Sequence, residues 1–387
     1  MITFPTLNER MENLLINSSL FLISLAIMVG LLEVGVRVFH LQSDSVHGYD
    51  TCVGTKGIPN KSGYRVHPDY KTHLKMNKIG YRDIDHEIEK DAGGYRILIL
   101  GDSFTEGYTV PLEDTIHRRL QKLFSDQDYP VEVISLGMNG YSTAQSLLAL
   151  ECYGLVYNPD LVIYNFYIND VSDNYFRNND FLPSFNLEQG KLILDTTYID
   201  NREKRRRGEE DVSLVKKGLN LIRAHSFAVR FINYKLLHTK RNLSGSDKID
   251  PIFSATYNQD MKNAWELTEA LTVEIKSKAE ENQADFLLVQ IPSGSEYKEV
   301  AAENKRPGFD FRKPRKVLKD IAERNNLPYL DLLPKFEALG IRFSDVSWPT
   351  DGHSNQKGNE LATRFTYEMI MNNFDLPFIE GDEDEKE

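Results

Sequence analysis

The chain has 387 residues, with 46 Lys and Arg against 58 Asp and Glu, a formal net charge of −12 and 41% hydrophobic residues. That length permits one large domain or two of typical size, with a core big enough to need neither disulfides nor metal to hold it. An acidic chain whose basic cluster, Lys204-Arg205-Arg206-Arg207, is followed by Glu209-Glu210-Asp211 argues against nucleic-acid binding, and the cluster reads as a solvated loop.

Residues 1–12 form a short tail. From Asn13 to Leu32 no charged residue occurs, and an apolar run of about 20 residues matches the hydrocarbon thickness of a bilayer. The run passes into Glu33-Val34-Gly35-Val36-Arg37 with no small-x-small cleavage site, which predicts an uncleaved anchor over 13–40 rather than a removed signal. Arg10 and Arg37 flank it almost symmetrically, so the charges do not orient it. Residues 41–93 are polar, with scattered Gly, Pro and Tyr, and read as an arm or linker.

The texture changes at residue 94. Arg96 to Leu100 is a short apolar run ending at a glycine, the pattern of a buried parallel strand. A helix is expected from about Pro111, with Ile116, Leu120, Leu123 and Phe124 on one face. Further strands are read at 131–136, 161–166, 286–291 and 328–333, and helices at 143–155, around Ala264 to Ile275, and from Gln356 to Asn373. Strands alternating with helices predict one five-stranded parallel sheet with helices on both faces, spanning 94–376. The rhythm is interrupted over about 174–257. There Leu214 to Leu237 places Lys216, Lys217, Arg223, Arg230 and Lys235 among apolar residues, as in a lid, a membrane-surface helix or a helix packed on the domain edge. Residues 377–387 form an acidic tail.

Cys52 and Cys152 lie far apart, and their spacing leaves open whether they pair. With no HExxH and no ligand spacing among the nine histidines, neither a metal nor a cofactor is expected.

In an open parallel sheet, ligands bind beyond the carboxyl ends of the strands. The polar segments there are Gly101-Asp102-Ser103, Gly137 to Ser142, Asn169-Asp170 and Asp351-Gly352-His353. A serine at a strand-to-helix turn exposes its hydroxyl and sets its own N–H among the unpaired donors of the helix start. Acyl transfer needs such a nucleophile, a base and donors for the oxyanion. Ser103 is the candidate nucleophile, His353 its base and Asp351 the group that orients His353, while Gly140 and Asn169 are candidate oxyanion donors. Asp170 reads as structural.

These segments, in this order, resemble the SGNH (GDSL-type) hydrolase superfamily, whose serine, glycine, asparagine and histidine map to Ser103, Gly140, Asn169 and His353. The resemblance runs from about residue 77 to 375 and is strongest over Asn77 to Arg82 and Arg96 to Asn174. Its membrane-anchored branch shows a similar arm and a similar Glu33-x-x-x-Arg37. The resemblance implies a three-layer α/β/α fold of flavodoxin type and ester hydrolysis through an acyl-enzyme. Two departures stand out. The usual Asp three residues before the histidine is Thr350 here, leaving Asp351 for that role in an extended Asp-x-His, and the usual glycine two residues before Asn169 is Tyr167, which narrows the site. The expected protein is a single-pass, membrane-anchored esterase or deacylase with an extracytoplasmic catalytic domain, acting on an acylated small molecule or the O-acetyl groups of a cell-envelope glycan. An O-acyltransferase using the same residues and a non-catalytic carbohydrate- or ligand-binding protein are the alternatives.

Overall fold

The strands at the centre of the molecule are almost wholly apolar because both their faces are covered. In β5 (Tyr95–Gly101), Leu98 and Leu100 enter one hydrophobic layer while Ile97 and Ile99 enter the other. In β7 (Leu161–Phe166), Val162, Tyr164 and Phe166 alternate in the same way with Leu161 and Ile163, as the two-residue period of a strand requires. With β6 (Val131–Ser135), β10 (Asp285–Gln290) and β11 (Tyr329–Asp331) they make a five-stranded sheet of order β11-β10-β7-β5-β6, parallel throughout. The computed structural model describes residues 7–176, 182–207, 218, 221–222, 226–233, 250–303 and 306–378.

Two compact units divide the chain: Met1–Asp44 with Glu210–Asp247, and Ser45–Glu209 with Lys248–Glu387. The first unit contains α1 (Leu7–Val38), which is apolar and long enough to cross a membrane. Leu14, Phe21, Ile27 and Met28 on it are exposed. At its end the Glu33 carboxylate accepts hydrogen bonds from Arg37 Nε (2.6 Å), Ser226 Oγ (2.8 Å) and the backbone N–H groups of Phe227 (3.0 Å) and Ala228 (2.8 Å). Glu33 thereby caps the helical run over 227–233. Of the basic stretch 214–237, only residues 218, 221–222 and 226–233 are described, so its lid, membrane and edge readings lie mainly outside the described residues, as do 379–387 of the acidic tail.

In the second unit, one face of the sheet is covered by α4 (Thr143–Ala149) and α7 (Gln259–Glu281), through residues such as Leu147, Leu271 and Ile275. The opposite face is covered by α3 (Ile116–Ser125) and the C-terminal helix Gln356–Asn373, through Leu120, Phe124, Leu361 and Phe365. This is the three-layer α/β/α arrangement.

Four local expectations are corrected. Residues 41–93 are no bare linker, because from Ser45 onward they belong to the second unit. They form two antiparallel hairpins, β1 (His47–Asp50) with β2 (Gly54–Gly57) and β3 (Ser62–Val66) with β4 (Lys71–Lys75). Val46, Tyr70, Leu74 and Met76 of this segment are buried in a small apolar cluster with Tyr108, and beyond the hairpins the buried Arg82 guanidinium donates to the carbonyls of Glu106 (3.1 Å), Gly107 (2.5 Å) and Val110 (2.7 Å). The fifth strand stops at Asp331, whose side chain accepts the Leu333 N–H and caps a helix over Leu332–Ala338. The helix at 143–155 ends at Ala149 and continues as a π turn (Leu150–Gly154). Lys204 to Arg206 lie in the last turns of α6 (Thr197–Arg206), not in a loop. Cys52 and Cys152 are joined in a disulfide with their Cα atoms 6.7 Å apart.

Candidate active site

Strand β5 delivers the chain to the carboxyl edge of the sheet through Gly101, whose φ of +148° only glycine adopts freely. A Cβ at Gly101 would stand 2.4 Å from Thr105 Oγ1 and 2.8 Å from the Asn165 carbonyl oxygen. The chain then turns into a short helix, α2 (Ser103–Glu106), capped by Asp102, whose carboxylate accepts the Phe104 N–H at 2.9 Å. Ser103 therefore occupies the first position of a helix, mostly buried, with its hydroxyl facing a cleft of about 510 Å³.

Across that cleft, His353 Nε2 stands 2.8 Å from Ser103 Oγ. The other ring nitrogen, Nδ1, is hydrogen-bonded to Asp351. The segment carrying both groups is a turn and not the extended stretch expected. Gly352 has φ +83°, its N–H donates to the Trp348 carbonyl (2.9 Å), and the Trp348 N–H donates to the His353 carbonyl (2.8 Å). This left-handed glycine swings the side chains at 351 and 353 together, so an Asp two residues before the His reaches Nδ1. Burial works to raise the Asp351 pKa, but hydrogen bonds from His353 and Tyr70 outweigh it and hold the carboxyl at about 2. Asp351 is thus an anion at neutral pH. Phe104 stacks on the His353 ring at 4.6 Å, and the Tyr108 hydroxyl lies 3.3 Å from both ring nitrogens.

Gly140 and Asn169 line the same cleft, together with Asn139, Tyr167, Ser293 and Phe343. Gly140 adopts φ +81° in the loop after β6, a conformation that costs a glycine little. That loop is anchored from below, since the Asn139 N–H donates to Glu106 Oε2 at 2.7 Å. Glu106 is fully buried. Burial tends to raise its pKa, yet the hydrogen bond with His47, the Asn139 N–H and the nearby Arg82 charge together lower it. Asn169 begins α5 (Asn169–Tyr175) and donates from Nδ2 to Asp173 at 3.1 Å. Tyr167 packs its ring 4.3 Å from Phe104, which places an aromatic wall where the resemblance would put a glycine. Asp170 does not line the cleft; it is buried, accepts the Tyr164 hydroxyl at 2.6 Å, and is driven upward in pKa by burial and then by the charge of Asp102.

All five residues singled out in the sequence, Ser103, Gly140, Asn169, Asp351 and His353, therefore surround one cleft. Three others went unseen: Glu106, which holds the Gly140 loop, and Asp69 and Tyr70, which contact the 350–351 segment. Glu106 lies within Gly101 to Gly107, but nothing in its local spacing marks a buried acid. Tyr70 and Asp69 sit in a polar hairpin turn with no sequence signal for a site. No cluster of metal-ligating side chains occurs among the described residues.

The GDSL-like lipase/acylhydrolase family matches the chain over residues 99–361. Among solved structures, the chain is similar to an acetyl xylan esterase at 15% identity, covering 71% of this chain and 98% of that one, with a TM-score of 0.38. It is also similar to a lipase/acylhydrolase from Enterococcus faecalis at 17% identity, over 73% and 98% of the two chains, with a TM-score of 0.39. A third is the psychrotrophic esterase EstA from a Pseudoalteromonas species at 15% identity, over 71% and 96%, with a TM-score of 0.36. No curated protein matches the chain at a significant level.

Proposed function

From the premise that the chain belongs to the GDSL-like lipase/acylhydrolase family and is an ester-hydrolysing serine hydrolase, we propose that Ser103 is its nucleophile, His353 its general base and Asp351 the acid that fixes the His353 tautomer. The observation that carries this reading is the 2.8 Å contact of Ser103 Oγ with His353 Nε2, with Nδ1 of the same ring held on a carboxylate. With Nδ1–H donated to Asp351, Nε2 is the acceptor that takes the serine proton. The Ser103 oxygen attacks the ester carbonyl, and the C=O π electrons move onto oxygen. The Ser103 N–H, the Gly140 N–H and the second hydrogen of Asn169 Nδ2 receive that oxyanion. Collapse expels the alcohol, which takes the proton from His353. Water then attacks the acyl-Ser103 with His353 again as base, releasing the carboxylic acid and restoring the hydroxyl.

The acyl group is small in this reading. Tyr167 and Phe104 wall the cleft with tilted rings packed 4.3 Å apart, which suits acetyl better than a fatty chain. The substrate is an O-acetylated glycan of the cell envelope, met by an enzyme held to the bilayer through 13–40. The apolar helix α1 supports the anchor, and the Cys52–Cys152 disulfide supports an oxidising, extracytoplasmic location for the second unit. Transfer of the acyl group to a sugar hydroxyl needs only that the sugar replace water in the second step.

The test is labelling of the full-length protein in detergent with a fluorophosphonate, alongside turnover of p-nitrophenyl acetate. Both are expected to vanish in Ser103→Ala and His353→Ala. A folded wild-type protein that neither labels nor turns over sinks the assignment. Acetate release from an acetylated polysaccharide, compared with acetyl transfer to an added oligosaccharide, separates hydrolysis from transfer.

A further inference from the structure

The Asp-x-His segment is held by a second layer of contacts that comes from the polar hairpin β3–β4, 281 residues away in sequence. Tyr70, where the turn of that hairpin meets β4, donates its hydroxyl to Asp351 Oδ2 at 2.6 Å, while the other carboxylate oxygen receives His353. Asp69 Oδ2 accepts three hydrogen bonds from the same segment: Thr350 N–H at 2.8 Å, Thr350 Oγ1 at 2.8 Å and Asp351 N–H at 3.0 Å. His67 faces Asp351 at 3.8 Å and stacks on Tyr70 with ring centroids 5.1 Å apart, and Tyr70 packs against Trp348 at 5.7 Å. Arg65 of β3 lies over the ring of Tyr108, whose hydroxyl reaches His353.

Thr350 stands where the acid of the commoner pattern would be, and here it is tied down by Asp69. Asp351, one residue later, is aimed by Tyr70. We propose that Asp69 and Tyr70 are positioning residues of the catalytic site, so that the hairpin ahead of the sheet domain completes the triad. The inference rests on Ser103, His353 and Asp351 acting as described above. Asp69 sets the backbone turn that brings Asp351 within reach of Nδ1. Tyr70 occupies the second carboxylate oxygen and leaves Oδ1 for His353. A carboxylate that could rotate between partners would hold the imidazole less well, at a cost in kcat.

The experiment uses the full-length protein in detergent and p-nitrophenyl acetate, with fluorophosphonate labelling to count active sites. Tyr70→Phe keeps the ring and removes only the hydroxyl. Losing one hydrogen bond to a charged group predicts a fall in kcat of about ten- to a hundredfold with KM little changed. It also returns charge to the carboxylate facing His353, so the acid limb of kcat/KM moves to higher pH, a response that a merely structural contact would not produce. Asp69→Asn, which keeps an acceptor oxygen, is expected to retain most of the activity that Asp69→Ala loses. A folded Tyr70→Phe enzyme with wild-type kcat and an unmoved acid limb overturns the proposal, as does an Asp69→Ala enzyme of full activity. Activity persisting in Ser103→Ala or His353→Ala overturns the underlying triad, and loss there beside a wild-type Tyr70→Phe removes the positioning role alone.

Discussion

Replacing both cysteines with alanine should leave the fold intact but lower its thermal stability by a calculable amount. Cys52 follows β1 and Cys152 sits in the π turn after α4, so the bridge closes a loop with a sequence separation of 100. In the chain-entropy picture, such a loop restricts the unfolded state by about 4.7 kcal/mol, an upper figure, with 2–4 kcal/mol typical of measured bridges. A unit of about 300 residues unfolds with an entropy near 0.6 kcal/mol/K, so the upper figure corresponds to a fall in Tm of roughly 8 °C and the typical ones to about 3–7 °C. Intrinsic-fluorescence melts of the full-length protein in detergent, wild type against Cys52→Ala/Cys152→Ala, read this directly. Reductant should bring the wild type to the value of the variant and leave the variant unmoved. Alkylation of the unreduced, unfolded protein should modify neither cysteine. Full alkylation of both, with a Tm within about 1 °C of the variant, would refute the bridge and with it the argument for an oxidising compartment.

Asp351→Asn should retain the fold and lose about 10⁴-fold in kcat, the cost of presenting the wrong imidazole tautomer to the nucleophile, measured by p-nitrophenyl acetate turnover. Asn169→Ala should lose about 10²–10³-fold in kcat, as for one oxyanion donor, with little effect on KM. Tyr167→Gly should open the wall beside Phe104 and move the preferred p-nitrophenyl ester from acetate toward butyrate and longer chains; an unchanged chain-length profile would show that Tyr167 does not limit the acyl group. Burial raises the Asp102 pKa above its ordinary value, so the native state binds a proton there more readily than the unfolded chain. The stability Asp102 allows is full below about pH 4 and is lost as pH rises through its raised value. Asp102→Asn keeps the cap and should raise Tm at pH 8 while changing it little at pH 4, as thermal melts at the two pH values would show. Asp351 runs the other way. Its carboxyl is depressed to about 2, so its contribution is complete above about pH 4 and lost as pH falls toward 2, and melts of wild type against Asp351→Asn over that range read it.

What could be read without a structure was what depends on short-range pattern. Buried parallel strands must be apolar on both faces, so Tyr95–Gly101 and Leu161–Phe166 announce themselves as short continuous runs. An amphipathic helix must repeat its apolar positions every three or four residues, which Ala264 to Ile275 does. Because a parallel sheet collects its loops at one edge, the polar segments after those strands pointed to Ser103, Gly140, Asn169 and His353 before their distances were known, and the apolar stretch of α1 followed from composition alone. Tertiary structure decided whatever depends on partners distant in sequence. The union of Cys52 with Cys152, the burial of Arg82 against three carbonyls, the hold of Glu106 on the Gly140 loop and the grip of Asp69 and Tyr70 on residues 350–351 all join polar groups dozens to hundreds of residues apart. A polar residue satisfied by a backbone carbonyl or a carboxylate leaves no periodic trace, because one well-placed hydrogen bond needs no repeat. Residues 45–93 read as a linker because their buried apolar residues, Val46, Val53, Tyr70, Leu74 and Met76, are too scattered to show a period, and the polar contacts behind the cleft were invisible while the polar groups lining it were not.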